Sequence, residues 1–172
     1  EPGDTPSENA QFLLFLTSII KAVDDYQDLL RVSVASAGND HRLGANEAPP
    51  AIVSIFLGDE LTEILKSIEN DTSYICKEKS PMEIGVRVLP KFFKDTTDRN
   101  RTSPFAFTGN KFEFRMLGSA FSIAGANIVL NTIVAETLCQ AADILEKADD
   151  FELALHDLIK DWVTDHIRII FN

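Results

Sequence analysis

The stretch from Asp98 to Arg115 reads DRNRTSPFAFTGNKFEFR and holds the densest set of residues able to do chemistry. Its end, Lys111-Phe112-Glu113-Phe114-Arg115, alternates polar and apolar residues with the period of a strand. Successive strand side chains point to opposite faces, so Phe112 and Phe114 share one face and Lys111, Glu113 and Arg115 share the other. Glu113 is a hard oxygen donor suited to Mg²⁺ or Mn²⁺, and flanking cations suit the anions such a metal polarises. Arg99 and Arg101 add planar forks of donors that match carboxylate or phosphate. The bland alternatives stay open. Spacing alone leans to a salt-bridge ladder for Lys111, Glu113 and Arg115, and to ordinary surface arginines before the Ser-Pro break.

A second candidate is Arg42-Leu43-Gly44-Ala45-Asn46-Glu47-Ala48-Pro49-Pro50. An arginine followed five residues later by a glutamate, on a loop stiffened by two prolines, can bring a cation and a base to one pocket. A solvated loop is the competing reading. His41 sits beside Arg42, whereas His156 and His166 are expected on the surface of the last helix. Phe105, Phe107, Phe112 and Phe114 alternate as core residues do.

These residues need elements to hold them. Thr5-Pro6-Ser7-Glu8 has the form of a capping box with Pro at the first helical position. Apolar residues at helical spacing from Phe12 to Val23 then predict a helix running to about Leu30. Ser36 to Asp40 punctuates the chain, Arg42 to Pro50 is a loop, and Ala51–Leu57 reads as a buried strand. A short helix follows over about 60–69, and one strand is expected at Ile84–Leu89. Phe105–Thr108 and Lys111–Leu117, separated by Gly109-Asn110, form a hairpin. A long helix over roughly 127–147 and a last helix from Asp149-Asp150 to about His166 complete the chain. Helices with mainly antiparallel strands define an α+β fold.

Composition limits the partners. Of 172 residues, 16 are basic and 27 acidic, a net charge of −11. Bulk attraction to nucleic acid needs basic stripes, so nucleic acid is not an expected partner, and an anionic ligand needs a local group of cations. Cys76 and Cys139 have neither disulfide-framework nor zinc spacing, which fits reduced thiols in a cytoplasmic protein. No apolar run is expected to reach the roughly 20 residues that span a bilayer. The chain starts at Glu1 without Met and ends on Ile169-Ile170-Phe171-Asn172, and is expected to be a fragment of a longer protein.

The candidate sites occur in one order inside long motifs. ENAQFLLFL at Glu8–Leu16, ASAGNDHRLGANEAPPAIVSIFLGDEL at Ala35–Leu61, the stretch from Asp98 to Ser119, and LNTIVAE at Leu130–Glu136 together resemble the C-terminal part of the catalytic domain of glutamine synthetase, in particular its type III form. The resemblance covers nearly residues 1–172 and places a type III-like insertion at about 58–98. It implies ATP-dependent ligation of glutamate and ammonium through a γ-glutamyl phosphate, with ATP and Mg²⁺ or Mn²⁺ as cofactors. Arg42 matches a glutamate-binding arginine, and Glu47 a flap glutamate that binds and deprotonates ammonium. Arg101 matches an arginine on the transferring phosphate, and Lys111 a basic position near ATP. Glu113 matches a metal ligand, and Arg115 an arginine on glutamate or the acyl phosphate.

Shorter members of the family carry a further arginine where this chain has Ala106, so that phosphate contact falls to another residue, such as Arg99 or Lys94. The family's remaining metal ligands and its N-terminal domain lie upstream of Glu1, and the fragment alone is expected to be inactive. The resemblance also implies a homo-oligomer, usually a dodecamer of stacked rings. A γ-glutamyl–amine ligase of the same family and a non-catalytic assembly module are the competing functions.

Overall fold

A computed structural model of the chain describes residues 1–74 and 102–171. The expected strand at 84–89, most of the expected insertion, Cys76, Lys94, Arg99 and Arg101 lie outside the described residues. Helices dominate: α1 (Ala10–Asp25), α2 (Gln27–Ser33), α3 (Ala37–Arg42), α4 (Asp59–Glu69), α5 (Ile123–Leu145) and α6 (Phe151–His166). Three short strands, β1 (Ile55–Phe56), β2 (Phe105–Phe107) and β3 (Phe112–Phe114), form one sheet in the order β1-β2-β3. The α+β class stands, and the sheet is mixed. β2 and β3 form the expected antiparallel hairpin, while β1 joins β2 in parallel.

The start of α1 differs from the capping-box expectation. Thr5 makes no side-chain cap, and Pro6–Glu8 form a single 3₁₀ turn. Asn9 caps instead, its side-chain oxygen accepting from the Phe12 N–H at 3.0 Å, the bond an N-cap residue supplies to the third helical position. Nor does the helix run to Leu30. It ends at Asp25, where the Gln27 amide donates to the Asp24 carbonyl at 3.1 Å, and α2 begins after Tyr26.

Ser36, read as punctuation, is the N-cap of α3 and accepts from the Asn39 N–H at 3.2 Å. The Ala51–Leu57 strand shortens to Ile55–Phe56, because β1 pairs with β2 over only two residues and Ile52 is turned outward. Capped by Ser122, α5 begins at Ile123, four residues before the expected start. Asp150 caps α6 as expected, accepting from the Leu153 N–H at 3.1 Å.

The core is built around α1. Leu16, Ile20 and Val23 are fully buried, in one cluster with Leu30 and Val34, Ile64 and Leu65 of α4, Met116, and Ile133 of α5. The stretch expected to begin the insertion therefore opens with a helix seated in the core. Phe12 meets Phe107 at 5.9 Å between ring centroids, and Phe105, Phe107, Phe112 and Phe114 stack through the hairpin at 5.1–6.0 Å. Phe105 and Phe107 are the fully buried pair, and Phe112 and Phe114 pack at half burial over them.

Two expectations need correction. His166 is buried, not on the surface: it lies one turn beyond Trp162 and Val163 on the inward face of α6, where residues three and four apart line up. Its Nδ1 sits 2.8 Å from the buried Asp24 Oδ2, and Arg168 Nε donates to both Asp24 oxygens at 3.0 and 3.2 Å. The second correction concerns α5. By length and composition alone this helix of 23 residues is apolar enough to cross a membrane. It packs against α1, α2 and α6, and it turns Ile123, Ile128 and Ile144 outward.

Burial separates the expected costs of substitution. Leu16→Ala, at the centre of the core, is expected to remove about 2–5 kcal/mol of stability by lost transfer energy and a residual cavity. Val32→Ala, on the outer face of α2, is expected to stay within about 0.5 kcal/mol. Urea unfolding of both variants checks this, and equal losses would contradict the packing described.

Candidate active site

The hairpin positions the first group of candidate residues. Its turn holds because the Thr108 N–H donates to the Lys111 carbonyl at 2.9 Å, with Gly109 at φ 96°, a left-handed value that glycine adopts without strain. Register then pairs Ala106 with Glu113 and puts both on one face. The position that lacks the family's arginine therefore stands directly across the ladder from the candidate metal ligand.

Lys111, Glu113 and Arg115 do share a face. Arg115 donates from Nε and Nη2 to Glu113 Oε2 at 3.1 and 3.0 Å, and Lys111 Nζ stands 3.6 Å from Oε1. The Thr108 hydroxyl donates to Oε1 at 3.3 Å. The cations thus run along one strand, with Thr108 reaching across from the other side of the turn. The Arg115 hydrogen bond holds the Glu113 carboxyl below the usual glutamate range. The charges of Arg115 and Lys111 and the Thr108 hydroxyl add to this, and desolvation opposes it.

Arg42 belongs to the same neighbourhood through the backbone that leaves β3. Its Nε donates to Asn39 Oδ1 at 3.0 Å, and its Nη2 donates to the carbonyls of Met116 and Leu117, each at 3.0 Å. Sequence reasoning missed Asn39. The available signal was its place three residues before Arg42, one helical turn away on the same face. It also missed Thr108, whose contact depends on the turn closing.

Glu47 stands apart. It is exposed, and no hydrogen bond or ion pair joins it to the other candidates among the described residues. Its loop closes through the Gly44 N–H to the Pro49 carbonyl at 2.9 Å. Glu47 adopts φ 60°, a left-handed conformation uncommon outside glycine and frequent at functional positions. Arg101 is outside the described residues. A groove of about 750 Å³ lies elsewhere, between α1, α4 and α6, and contains none of these side chains.

For a divalent metal, the face shared by Lys111, Glu113 and Arg115 offers one carboxylate. Glu113 is the right oxygen donor, but no group of three His, Cys, Asp or Glu able to hold an ion exists among the described residues. Mg²⁺ keeps a six-fold oxygen shell, so Glu113 fits as one ligand of a site completed by other groups.

Comparison with known proteins agrees with the motifs. No family model matches the chain. A type-3 glutamine synthetase of Dictyostelium discoideum is 55% identical over 175 residues, taking in 100% of this chain and 24% of the relative. A glutamine synthetase of Butyrivibrio fibrisolvens is 47% identical over 177 residues, again 100% of this chain and 25% of the relative. A glutamine synthetase of Bacteroides fragilis (strain YCH46) is 51% identical over 141 residues, 80% of this chain and 19% of the relative. The chain belongs to the glutamine synthetase family. It spans about a quarter or less of the length of the curated relatives it matches. Within the family, the whole-chain match to the type-3 relative bears out the type III resemblance read from the motifs.

The depressed Glu113 pKa has a consequence for stability. A carboxylate whose folded pKa lies below its unfolded value stabilises the fold above the unfolded pKa. That contribution is lost as pH falls through the folded pKa. The stability difference between the native chain and Glu113→Gln is therefore expected to be greatest at neutral pH and to shrink below the ordinary glutamate range. Urea unfolding across a pH series checks it, and a difference that grew on acidification would contradict the assignment.

Proposed function

We propose that the chain is part of a glutamate–ammonia ligase that uses ATP. In this reading the γ-carboxylate oxygen of glutamate attacks the γ-phosphorus of ATP, and ADP leaves. Ammonium then gives a proton to Glu47, and the ammonia nitrogen attacks the acyl carbon of the γ-glutamyl phosphate. Phosphate departs and glutamine forms. The observation that carries the reading is the ordered set Arg42, Glu47, Arg101, Lys111, Glu113 and Arg115 in a chain whose whole length matches named glutamine synthetases.

Each residue has a task. Arg42 and Arg115 hold glutamate and the acyl phosphate as cations. Arg101 meets the charge that spreads over the transferring phosphoryl group, and Lys111 lies toward ATP. Glu113 is a ligand for Mg²⁺ or Mn²⁺, which when bound neutralises phosphate charge. In this reading the loop that carries Glu47 closes over the site and keeps water from the acyl phosphate, which water would otherwise hydrolyse.

Three features support this. Lys111, Glu113 and Arg115 crowd one face, Arg42 is tied to the segment that follows them, and Glu47 is held in a conformation rare for its type. The reading also includes a cytoplasmic enzyme that works as a homo-oligomer of stacked rings and takes its other metal ligands from outside this chain.

Two outcomes test it. The 172-residue chain with ATP, Mg²⁺, glutamate and ammonium is expected to make no glutamine, and turnover like that of the longer protein would refute the shared-site reading. In the longer protein, Glu113→Ala is expected to lower activity by about 10²-fold or more, with weakened dependence on metal. Unchanged activity and metal affinity would favour an assembly module. A panel of ammonium and polyamines separates the synthetase from an amine ligase.

A further inference from the structure

We propose that Asn39 is a positioning residue that sets the plane of the Arg42 guanidinium. The proposal rests on the glutamate-binding role given to Arg42 above, and extends it to a residue that touches no substrate. Asn39 is buried, with 4% of its surface exposed. Its side-chain amide joins three places in the chain. Nδ2 donates to the Val34 carbonyl at 2.7 Å, just before α3, and to the Met116 carbonyl at 2.8 Å, just after β3. Oδ1 accepts from Arg42 Nε at 3.0 Å. Both amide hydrogens and the amide oxygen are thereby used.

A guanidinium is a rigid planar fork. Here Nε is held by Asn39, and Nη2 by the Met116 and Leu117 carbonyls. Two fixed points on one edge of the fork set its plane, and covalent geometry then fixes the direction of Nη1. Among the described residues no group takes Nη1. One arm is therefore left for a ligand, already oriented. A long side chain held this way loses less freedom on binding than a solvated arginine would.

The approach of Gly118 gives a second sign that Asn39 is confined. A Cβ on Gly118 would come within 3.2 Å of Asn39 Oδ1 and 3.3 Å of the Phe121 ring. A side chain at 118 would crowd Asn39 Oδ1, the atom that accepts from Arg42, and press it to shift by a few tenths of an ångström. Simple filling of space does not account for the amide: an apolar residue of similar size would leave the Val34 carbonyl and Arg42 Nε without this partner.

The test uses the longer protein with glutamate as the varied substrate. Asn39→Ala is expected to raise the glutamate KM about tenfold, the range for residues that orient a ligand-binding group, with the ATP KM little changed. In an Arg42→Ala background the same substitution is expected to add less than about twofold, because there is no longer a guanidinium to orient. Equal factors in both backgrounds would mean a structural role only and would overturn the proposal. Asn39→Asp keeps an acceptor for Nε but loses the donors, and should fall between Ala and Asn; with Gly118→Ala it serves if Asn39→Ala does not fold. A crystal structure of the Asn39 variant adds a readout without turnover. A guanidinium swung off the Met116 and Leu117 carbonyls upholds positioning, and one left in place overturns it. If Arg42→Ala leaves the glutamate KM unchanged while that guanidinium is displaced, the substrate role of Arg42 fails and the positioning stands.

Discussion

Two backbone carbonyls, those of Met116 and Leu117, tie the helical layer to the hairpin. They accept from Arg42, and Met116 accepts from Asn39 as well. The hairpin is also joined to the rest of the chain by two residues of parallel pairing to β1 and by its phenylalanine contacts. Because Met116 follows Arg115 directly, the bonds also decide where the Arg115–Glu113 pair stands relative to α3. Buried carbonyls need donors, and among the described residues side chains supply them here.

Charge is handled in two ways. The buried Asp24 is met by His166 and Arg168, which pin the end of α6 and the turn after it to α1. Here the Arg168 guanidinium answers the cost of burying an anion, and the His166 ring adds a hydrogen bond. Glu113 is different, since over a third of its side chain is exposed. Exposed pairs contribute about 0–1 kcal/mol, so its three polar neighbours add little to the fold. In a chain of net charge −11, a local group of cations is what an anionic substrate requires. The gathering of Lys111 and Arg115 around Glu113 supports the proposed anion-binding role of this face.

Local signals in the chain were sound where the physics is local. The period-two run at Lys111–Arg115, the Gly109-Asn110 turn, the Asp150 cap and the short helix after Gly58 all appear as read. Signals failed where two local choices competed. Thr5 and Asn9 both suit a helix start, and Asn9 caps the helix whose Phe12 enters the core. Ser36 and Ser122 were cap residues hidden among turn formers.

By itself, the sequence determined the α+β class, the hairpin, the shared face of Lys111, Glu113 and Arg115, and, through long ordered motifs, the family. These depend on side-chain period and on residue identity, both of which are present in the string. Tertiary structure alone decided that His166 is buried, that β1 pairs in parallel, and that Arg42 is locked to Asn39 and the carbonyls beyond β3. Apart from the Asn39–Arg42 bond, those contacts join residues more than forty positions apart, and which distant groups meet is set by how the whole core packs, not by any local pattern.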